Sequence, residues 1–169
     1  LAGTNEDTPS TGSLVSSIFA SAGGNDVDAG SLSSIAVTST VGNGTWQYST
    51  DGTNWTDFGT VAADSALLLT STTQVRYSPD TIDGETATFS FRGWDQTTST
   101  GSTLGSPSLV DPTGNTGGAN EFSTETATAS MVVTPVNDAV VAVPDTGSAT
   151  EAGGVANATG GSDATGNVL

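Results

Sequence analysis

Apolar and polar residues alternate along much of this chain, and an alternation of two predicts β-strands. In the clearest case, the run TATFSFRGW (86–94) aligns Ala87, Phe89 and Phe91 on one face, while Arg92 and Trp94 face the other way. Similar alternation occurs in the runs SIAVTST (34–40), GTWQYS (44–49), QVRYS (74–78) and ATASMVVTPV (127–136). Apolar residues do not recur at a spacing of three and four, so helix signals are nearly absent.

Clusters of Gly, Asn, Asp and Pro separate these runs, for example VGNG (41–44) and SPDTIDG (78–84). About six to eight short strands separated by such turn-forming clusters indicate an all-β, antiparallel sandwich. The run YSTDGTNW (48–55) predicts a hairpin in which Asp51 and Gly52 supply a turn with positive φ angles.

The aromatic residues around this hairpin have two interpretations. Trp46, Tyr48, Trp55 and Phe58 are close enough in sequence to pack together, so we expect them in the core and in cross-strand pairs. The alternative is a lectin-like module, in which exposed Trp55 and Trp94 stack on a glycan.

Two segments depart from the strand pattern. Residues 96–121 are rich in Gly, Ser and Thr, and such a length is unusual for a loop in a compact domain. We expect a partly mobile excursion there, with a ligand-binding loop as the alternative.

The residues near the C-terminus are mostly small and carry too little apolar surface to close a core. We therefore expect the sandwich to span residues 1–139. Residues 140–169 would then be a linker and an incomplete next repeat, whose first residues could pair with a neighbour's sheet.

The charge of the chain narrows its possible functions. There are 18 acidic residues against two basic ones, Arg76 and Arg92, and there is no Lys, His or Cys. This balance argues against binding to nucleic acid and to anionic membranes, both of which need basic side chains. The missing residue types exclude disulfides, a Ser-His-Asp triad and His-ligated zinc. No run is apolar and long enough to predict insertion into a membrane.

Many acidic residues fall where strand-like runs end or turns begin. They are Glu6 and Asp7, Asp26 and Asp28, Asp80, Asp83 and Glu85, Asp95, and Asp138 with its neighbour Asn137. Carboxylate and amide oxygens are the ligands that Ca²⁺ takes in proteins. Since almost no basic side chain is present to pair with them, we expect these groups to bind Ca²⁺. The alternative is that Asp and Asn only form turns.

The order of several segments resembles the cadherin-like tandem repeats of large bacterial surface proteins and RTX-type adhesins. The segments are NEDTP (5–9), DVDAGSLSSIAVT (26–38), GTWQYSTDGTNWT (44–56), LLLTSTTQVRYSPD (67–80), GETATFSFRGWDQ (84–96) and TATASMVVTPVNDA (126–139). The tail VPDTGSATEAGGVANATGGSDATGNVL (143–169) resembles the opening of a different module, the VCBS repeat.

This resemblance implies a cadherin- or immunoglobulin-like Greek-key sandwich with calcium between successive domains. It implies that one end of the sandwich supplies Glu6, Asp80 or Asp83, Asn137 and Asp138, with Asp7 as an additional ligand. The other end would supply Asp26, Asp28 and Asp95 and meet the linker of a preceding module. The linker here has fewer acids than in vertebrate cadherins, so one ion per junction is expected, and it should bind more weakly.

The sequence therefore predicts a calcium-stabilised structural repeat of an extracellular bacterial adhesin or fibre, and not an enzyme. The expected partners are neighbouring repeats, or identical copies that stack head to tail into a filament. A surface glycan is the partner in the lectin-like alternative.

Overall fold

A computed structural model describes residues 1–24, 33–96, 108–140, 142, 147–153 and 155–163. The predicted ligands Asp26 and Asp28 lie outside these residues, as does part of the 96–121 segment. The chain divides into two compact units, Leu1–Val136 and Asn137–Leu169, whereas the sequence analysis placed the boundary after residue 139. In the second unit, backbone bridges join Thr150 to Ser162 and Gly153 to Thr159 around a turn at Val155–Asn157.

The first unit is an all-β sandwich of two sheets. Its strands are β1 (Thr4–Asn5), β2 (Ser13–Leu14), β3 (Ser34–Val41), β4 (Thr45–Ser49), β5 (Thr56–Asp57), β6 (Ala66–Leu69), β7 (Gln74–Ser78), β8 (Glu85–Trp94), β9 (Ser108–Val110) and β10 (Ala127–Thr134). A single described α-helix, α1 (Val15–Ser21), follows β2 directly.

The larger sheet has the strand order β1-β10-β8-β3-β6-β9, and the smaller sheet has the order β2-β7-β4-β5. The pairing is antiparallel as predicted, except that β1 runs parallel to β10. Strand β8 spans 10 residues, and a strand of that length extends roughly 30 Å. Its first residue, Glu85, marks the end of the sandwich that we call the linker end. Its last residue, Trp94, marks the far end.

The core lies between the sheets, on the faces that the alternation predicted. Ala87, Phe89 and Phe91 of β8 are all buried there. The ring of Trp46 contacts Phe89 edge-on, with 4.8 Å between centroids, and lies 4.9 Å from the ring of Tyr77. These rings account for much of the apolar surface removed from water, which is the main favourable contribution to folding.

A second apolar cluster lies on the opposite face of the larger sheet. It consists of Ala36, Ala66, Leu68, Trp94 and Phe122. Strand β9 pairs with β6, and Phe122 forms a backbone bridge with Trp94. Residues 108–110 thus extend the larger sheet, and the residues after them lead into Phe122, which packs in the cluster on its outer face. The sequence did not predict a strand within 96–121, and the expected mobility of that segment stays a prediction.

Helix α1 was not predicted, although its signal is present in the sequence. Val15 and Ile18 are buried, and Phe19 packs against the same core, which gives an apolar spacing of three and four. The helix ends where Gly23 adopts a φ of 77°. There the Gly23 amide donates to Ala20 O, and the Gly24 amide donates to Phe19 O. This pair of bonds is the Schellman motif, in which Gly tolerates the left-handed backbone.

The predicted hairpin forms between β4 and β5, with Gln47 opposite Asp57. Its turn depends on Asp51 and on Gly52, which has a φ of 73°. The carboxylate of Asp51 accepts hydrogen bonds from the Asn54 side chain (2.6 Å), the Asn54 amide (2.7 Å) and the Thr53 amide (2.8 Å). These bonds, the Asn54 side chain above all, lower the pKa of Asp51 below its ordinary value of 3.8.

The lowered pKa of Asp51 predicts a pH dependence of stability. Because the folded state holds the ionised form, Asp51 stabilises the fold above about pH 4, and this contribution is lost as the pH falls through the folded pKa. In urea unfolding, the stability difference between wild type and Asp51→Asn should therefore be largest near pH 7 and should shrink below about pH 4. A difference that stays constant down to low pH would contradict this role of Asp51.

Candidate metal site

Three turns meet at the linker end of the sandwich. A Cβ added to Gly84 would lie 2.5 Å from Pro135 Cδ, so the turn at 79–84 lies against the end of β10. A Cβ on Gly44 would lie 2.7 Å from Pro79 Cα, which brings the turn at 42–44 to the same place. The third is the turn after β1, where the Glu6 amide donates to Thr134 O at 3.1 Å. Predicted ligands from distant parts of the sequence therefore share one end.

Glu6 is buried at this end, with only 1% of its surface exposed. Its Oε1 accepts a 2.6 Å hydrogen bond from the Val136 amide. Its Oε2 is also buried, and within the described chain it has no hydrogen-bond partner. The parallel pairing of Thr4 with Val133 places Glu6 here, next to the final residues of β10. A buried carboxylate oxygen without a donor is costly, and a cation would remove that cost.

The other predicted ligands at this end are more open to solvent. Asp80 is half-buried, and its Oδ1 accepts a hydrogen bond from the Ile82 amide at 3.1 Å. Asp83 is exposed in the same turn, and Asp7 is exposed beside Glu6. These three carboxylates can reorient at little cost, whereas the position of Glu6 is set by the sheet.

Glu85, which begins β8, has a different role from its acidic neighbours. Its carboxylate accepts hydrogen bonds from the Asn43 amide (2.9 Å to Oε2) and from the Tyr77 hydroxyl. Burial, and secondly the bond to Glu85, raise the pKa of Tyr77 well above its ordinary value. Glu85 therefore holds the turn at 42–44 in place, and its oxygens are already occupied by protein donors.

Asn137 and Asp138 begin the second unit, and both are exposed. The Asn137 side-chain amide donates to Asp138 O at 3.2 Å. Their expected role as calcium ligands stays a prediction.

Asp95 follows the last residue of β8 at the far end and is half-buried. Its amide donates to Glu121 O at 3.1 Å, and it borders a pocket of about 460 Å³ that Glu121 and Glu125 also line. The sequence did not predict these two acids at this end, because long-range backbone contacts such as the bridge between Trp94 and Phe122 bring them there. Asp26 and Asp28, which were expected beside Asp95, lie outside the described residues.

Within the part of the chain that the structure describes, no group of three or more His, Cys, Asp or Glu side chains is arranged to hold a metal ion. The described predicted ligands of the first unit are instead divided between two ends of the sandwich. Each end carries carboxylate oxygens, which are of the ligand type that Ca²⁺ takes.

The two tryptophans expected on a sugar-binding surface are differently placed. Trp94 is only 2% exposed and packs in the cluster on the outer face of the larger sheet, so its ring does not offer a stacking surface. Trp55 is half-buried, and the guanidinium of Arg76 lies 4.2 Å from its ring centroid. One face of Trp55 is therefore already occupied by a cation.

Both basic side chains are engaged away from the acids of the linker end. Arg76 Nε donates to Gln47 at 2.8 Å, in addition to its contact with Trp55. Arg92 Nη1 donates to the carbonyl oxygens of Ser123 and Thr124 near the far end. Neither arginine neutralises Glu6.

Comparisons with protein-family models, with curated proteins and with solved structures gave no match. The resemblance to cadherin-like and VCBS repeats therefore stays a prediction. No helix in the described residues is long and apolar enough to cross a membrane.

Glu6 Oε2 is buried and has no hydrogen-bond donor within the described chain. We therefore expect an unusual effect of substituting Glu6 on the stability of the fold when cations are removed. In EDTA, Glu6→Gln should leave the free energy of unfolding unchanged or raise it by up to roughly 2 kcal/mol, because it removes an uncompensated buried charge while keeping the acceptor for the Val136 amide. Chemical unfolding measures this, with the exposed neighbour substitution Asp7→Asn as the matched control. A loss above about 1 kcal/mol in Glu6→Gln would mean that the protein already satisfies this carboxylate.

Proposed function

We propose that this chain is a calcium-stabilised structural repeat of an extracellular bacterial adhesin or fibre. The observation that carries the proposal is the Glu6 carboxylate, which is 1% exposed and has one buried oxygen without a donor. It belongs to an end of the sandwich where Asp80 and Asp83 add two further carboxylates. A chain with 18 acidic and two basic residues has few cations of its own to place there.

Calcium suits the chemistry of this end better than other cations. It takes six to eight oxygen ligands in a flexible geometry, including carboxylates, backbone carbonyls and water. With no His or Cys in the chain, softer metals lose their usual ligands. In the proposal, Glu6 Oε2 is the fixed ligand, and Asp80 and Asp83 turn toward the ion. The bound ion would link the turn after β1 to the turn before β8.

A calcium site with only part of its ligands is what we expect in a repeat whose neighbouring repeat supplies the remaining ligands. Three carboxylates leave several positions on Ca²⁺ for water and for oxygens of an adjoining module. In the proposal, acids at the far end such as Asp95 serve the preceding module in the same way. We therefore propose neighbouring repeats or identical copies as the partners of this domain, and Asp26 and Asp28 stay predicted contributors at the far end.

The expected affinity suggests where such a site would operate. Calcium sites in extracellular modules bind with dissociation constants of roughly 0.1–1 mM, and a site with few carboxylates belongs to this weaker class. Such a site is filled only where calcium is in the millimolar range. Location outside the cell is accordingly part of the proposal.

The geometry of the two tryptophans and of the linker end supports neither alternative class of function. A sugar-binding surface needs an open aromatic ring, and Trp94 is buried while Trp55 carries Arg76 on one face. Catalysis by a carboxylate pair needs two acids that share a site and differ in environment. Of the acids at the linker end, Glu6 is buried while Asp7 and Asp83 are exposed in separate turns.

Calcium should stabilise the wild-type chain and do so through Glu6. At a calcium concentration a hundredfold above Kd, mass action predicts a gain of roughly 2.7 kcal/mol in unfolding free energy. Glu6→Gln and Asp80→Asn should each lose most of this gain. Calcium titration by calorimetry and thermal unfolding, each with an EDTA reference, measure both effects.

The matched control is Asp64→Asn, which removes an exposed carboxylate from the turn before β6. It should keep the full calcium response. Wild-type unfolding curves that coincide in calcium and in EDTA would refute the proposed function.

A further inference from the structure

The turn at 42–44 contains the dipeptide Asn43-Gly44, and no other asparagine in the chain precedes a glycine. In such a pair the backbone nitrogen of the glycine can attack the side-chain amide of the asparagine, because a residue without Cβ leaves the approach unhindered. Asn43 is exposed, and within the described residues its backbone amide donates hydrogen bonds while its side chain makes none. The linker end therefore carries a group that is chemically suited to spontaneous deamidation.

The reaction changes the bonds at a single carbon of the Asn43 side chain. The Gly44 nitrogen forms a bond to Asn43 Cγ, the bond from Cγ to Nδ2 breaks, and ammonia leaves with the proton that the Gly44 amide gives up. Water then opens the cyclic succinimide at either of its carbonyl groups. The products are aspartate and isoaspartate at position 43, and the reaction needs no reactant other than water.

Hydrogen bonds hold the attacking nitrogen in the folded chain. The Gly44 amide donates to the Tyr77 hydroxyl at 2.6 Å, and the Asn43 amide donates to Glu85 Oε2 at 2.9 Å. Tyr77 is 0% exposed, so the hydroxyl that accepts from Gly44 is positioned by the core. Ring closure requires the Gly44 nitrogen to lose its proton, and therefore to leave this hydrogen bond first.

Close packing of the turn adds a second restraint. A Cβ added to Gly44 would overlap Ser78 O, and a Cβ added to Gly42 would overlap the Tyr77 hydroxyl. The main chain of the turn therefore lies directly against β7. Ring closure also requires the backbone between Asn43 and Gly44 to rotate, and a turn packed this closely leaves little room for that rotation.

We propose that Asn43 is a deamidation site that the fold protects, and that the Tyr77 hydroxyl is the main protecting group. Conversion then proceeds through local opening of the turn at 42–44, so its rate follows the population of the open form. This inference uses no calcium, and its outcome is independent of the proposed function. It assigns to the linker end a slow chemical change that depends on how firmly this turn is held.

The products of the reaction would not fit the turn in which they form. Both add a carboxylate to a residue whose amide donates to Glu85, and like charges repel each other. Isoaspartate also inserts an additional carbon atom into the main chain, next to the close contact between Gly44 and Ser78. The change would therefore weaken the hydrogen bonds that hold the turn.

Mass spectrometry of peptides from the full chain, incubated at neutral pH in EDTA, measures the conversion of Asn43. The chain unfolded in guanidinium chloride should convert many times faster than the folded chain. Tyr77→Phe removes the acceptor for the Gly44 amide and keeps the buried ring. In the folded protein it should speed conversion roughly fivefold, which corresponds to the loss of one hydrogen bond.

The matched control is Tyr48→Phe. Tyr48 is half-buried and packs against the same core, but the Gly44 amide donates to Tyr77 instead. Its folded rate should equal that of wild type. In guanidinium chloride all three chains should convert equally, because the sequence around Asn43 is unchanged.

Several results would overturn the inference. They are an unfolded chain that leaves Asn43 intact, a folded wild type that converts as fast as the unfolded chain, and a Tyr77→Phe variant that converts no faster than wild type. Hydrogen exchange at the Gly44 amide of wild type covers the case in which Tyr77→Phe does not fold. We expect strong protection of this amide, and exchange at the rate of the unfolded chain would equally overturn the inference.

Discussion

The main constraint on this structure is the burial of the Glu6 carboxylate. It lies at one end of a sandwich that has almost no basic side chains. Taking a carboxylate out of water is expensive unless its charge is neutralised and its oxygens are hydrogen-bonded. Only one oxygen of Glu6 has a partner within the described chain, the Val136 amide. The two arginines of the protein are engaged elsewhere, with Trp55 and with backbone carbonyls. In the proposal, a cation from solution completes this site.

The architecture explains why acids gather at the ends of this domain. In an antiparallel sandwich apolar residues alternate with outward-facing polar residues along the strands, and turns at both ends receive the Asp, Asn and Gly residues that turns require. One carboxylate, Glu85, stabilises a turn through protein donors alone. Asp51 does the same in its hairpin, where local hydrogen bonds lower its pKa. Glu6 differs from both because it lacks a full set of donors, and this difference separates a candidate ligand from a structural acid.

Part of this structure follows from the sequence because it depends on local pattern. The alternation in residues 86–94 predicted both the strand β8 and the face of it that is buried, and the hairpin at 48–55 followed from its Asp and Gly. Helix α1 was missed because it spans only 7 residues, too few for its apolar spacing to stand out. The cluster around Trp94 was missed because the segment that covers it has no strand pattern of its own.

The candidate site was predictable in composition but not in geometry. Turn residues such as Asp80 and Asp83 could be assigned to a strand end from their neighbours. The burial of Glu6 depends on a contact with Val136, 130 positions away, and on a strand β1 of only two residues. The meeting of Glu121 with Asp95 likewise depends on long-range backbone contacts between the end of β8 and residues 121–123. Sequence spacing carries no information about such contacts.

The most direct test of the central claim is a high-resolution crystal structure of the chain grown in millimolar calcium, with the anomalous signal used to locate the ion. The account predicts a calcium ion about 2.3–2.6 Å from Glu6 Oε2, which is the usual calcium–oxygen distance. An ordered map in which Glu6 Oε2 has no ion and instead receives a hydrogen bond from a protein donor or an enclosed water would contradict it.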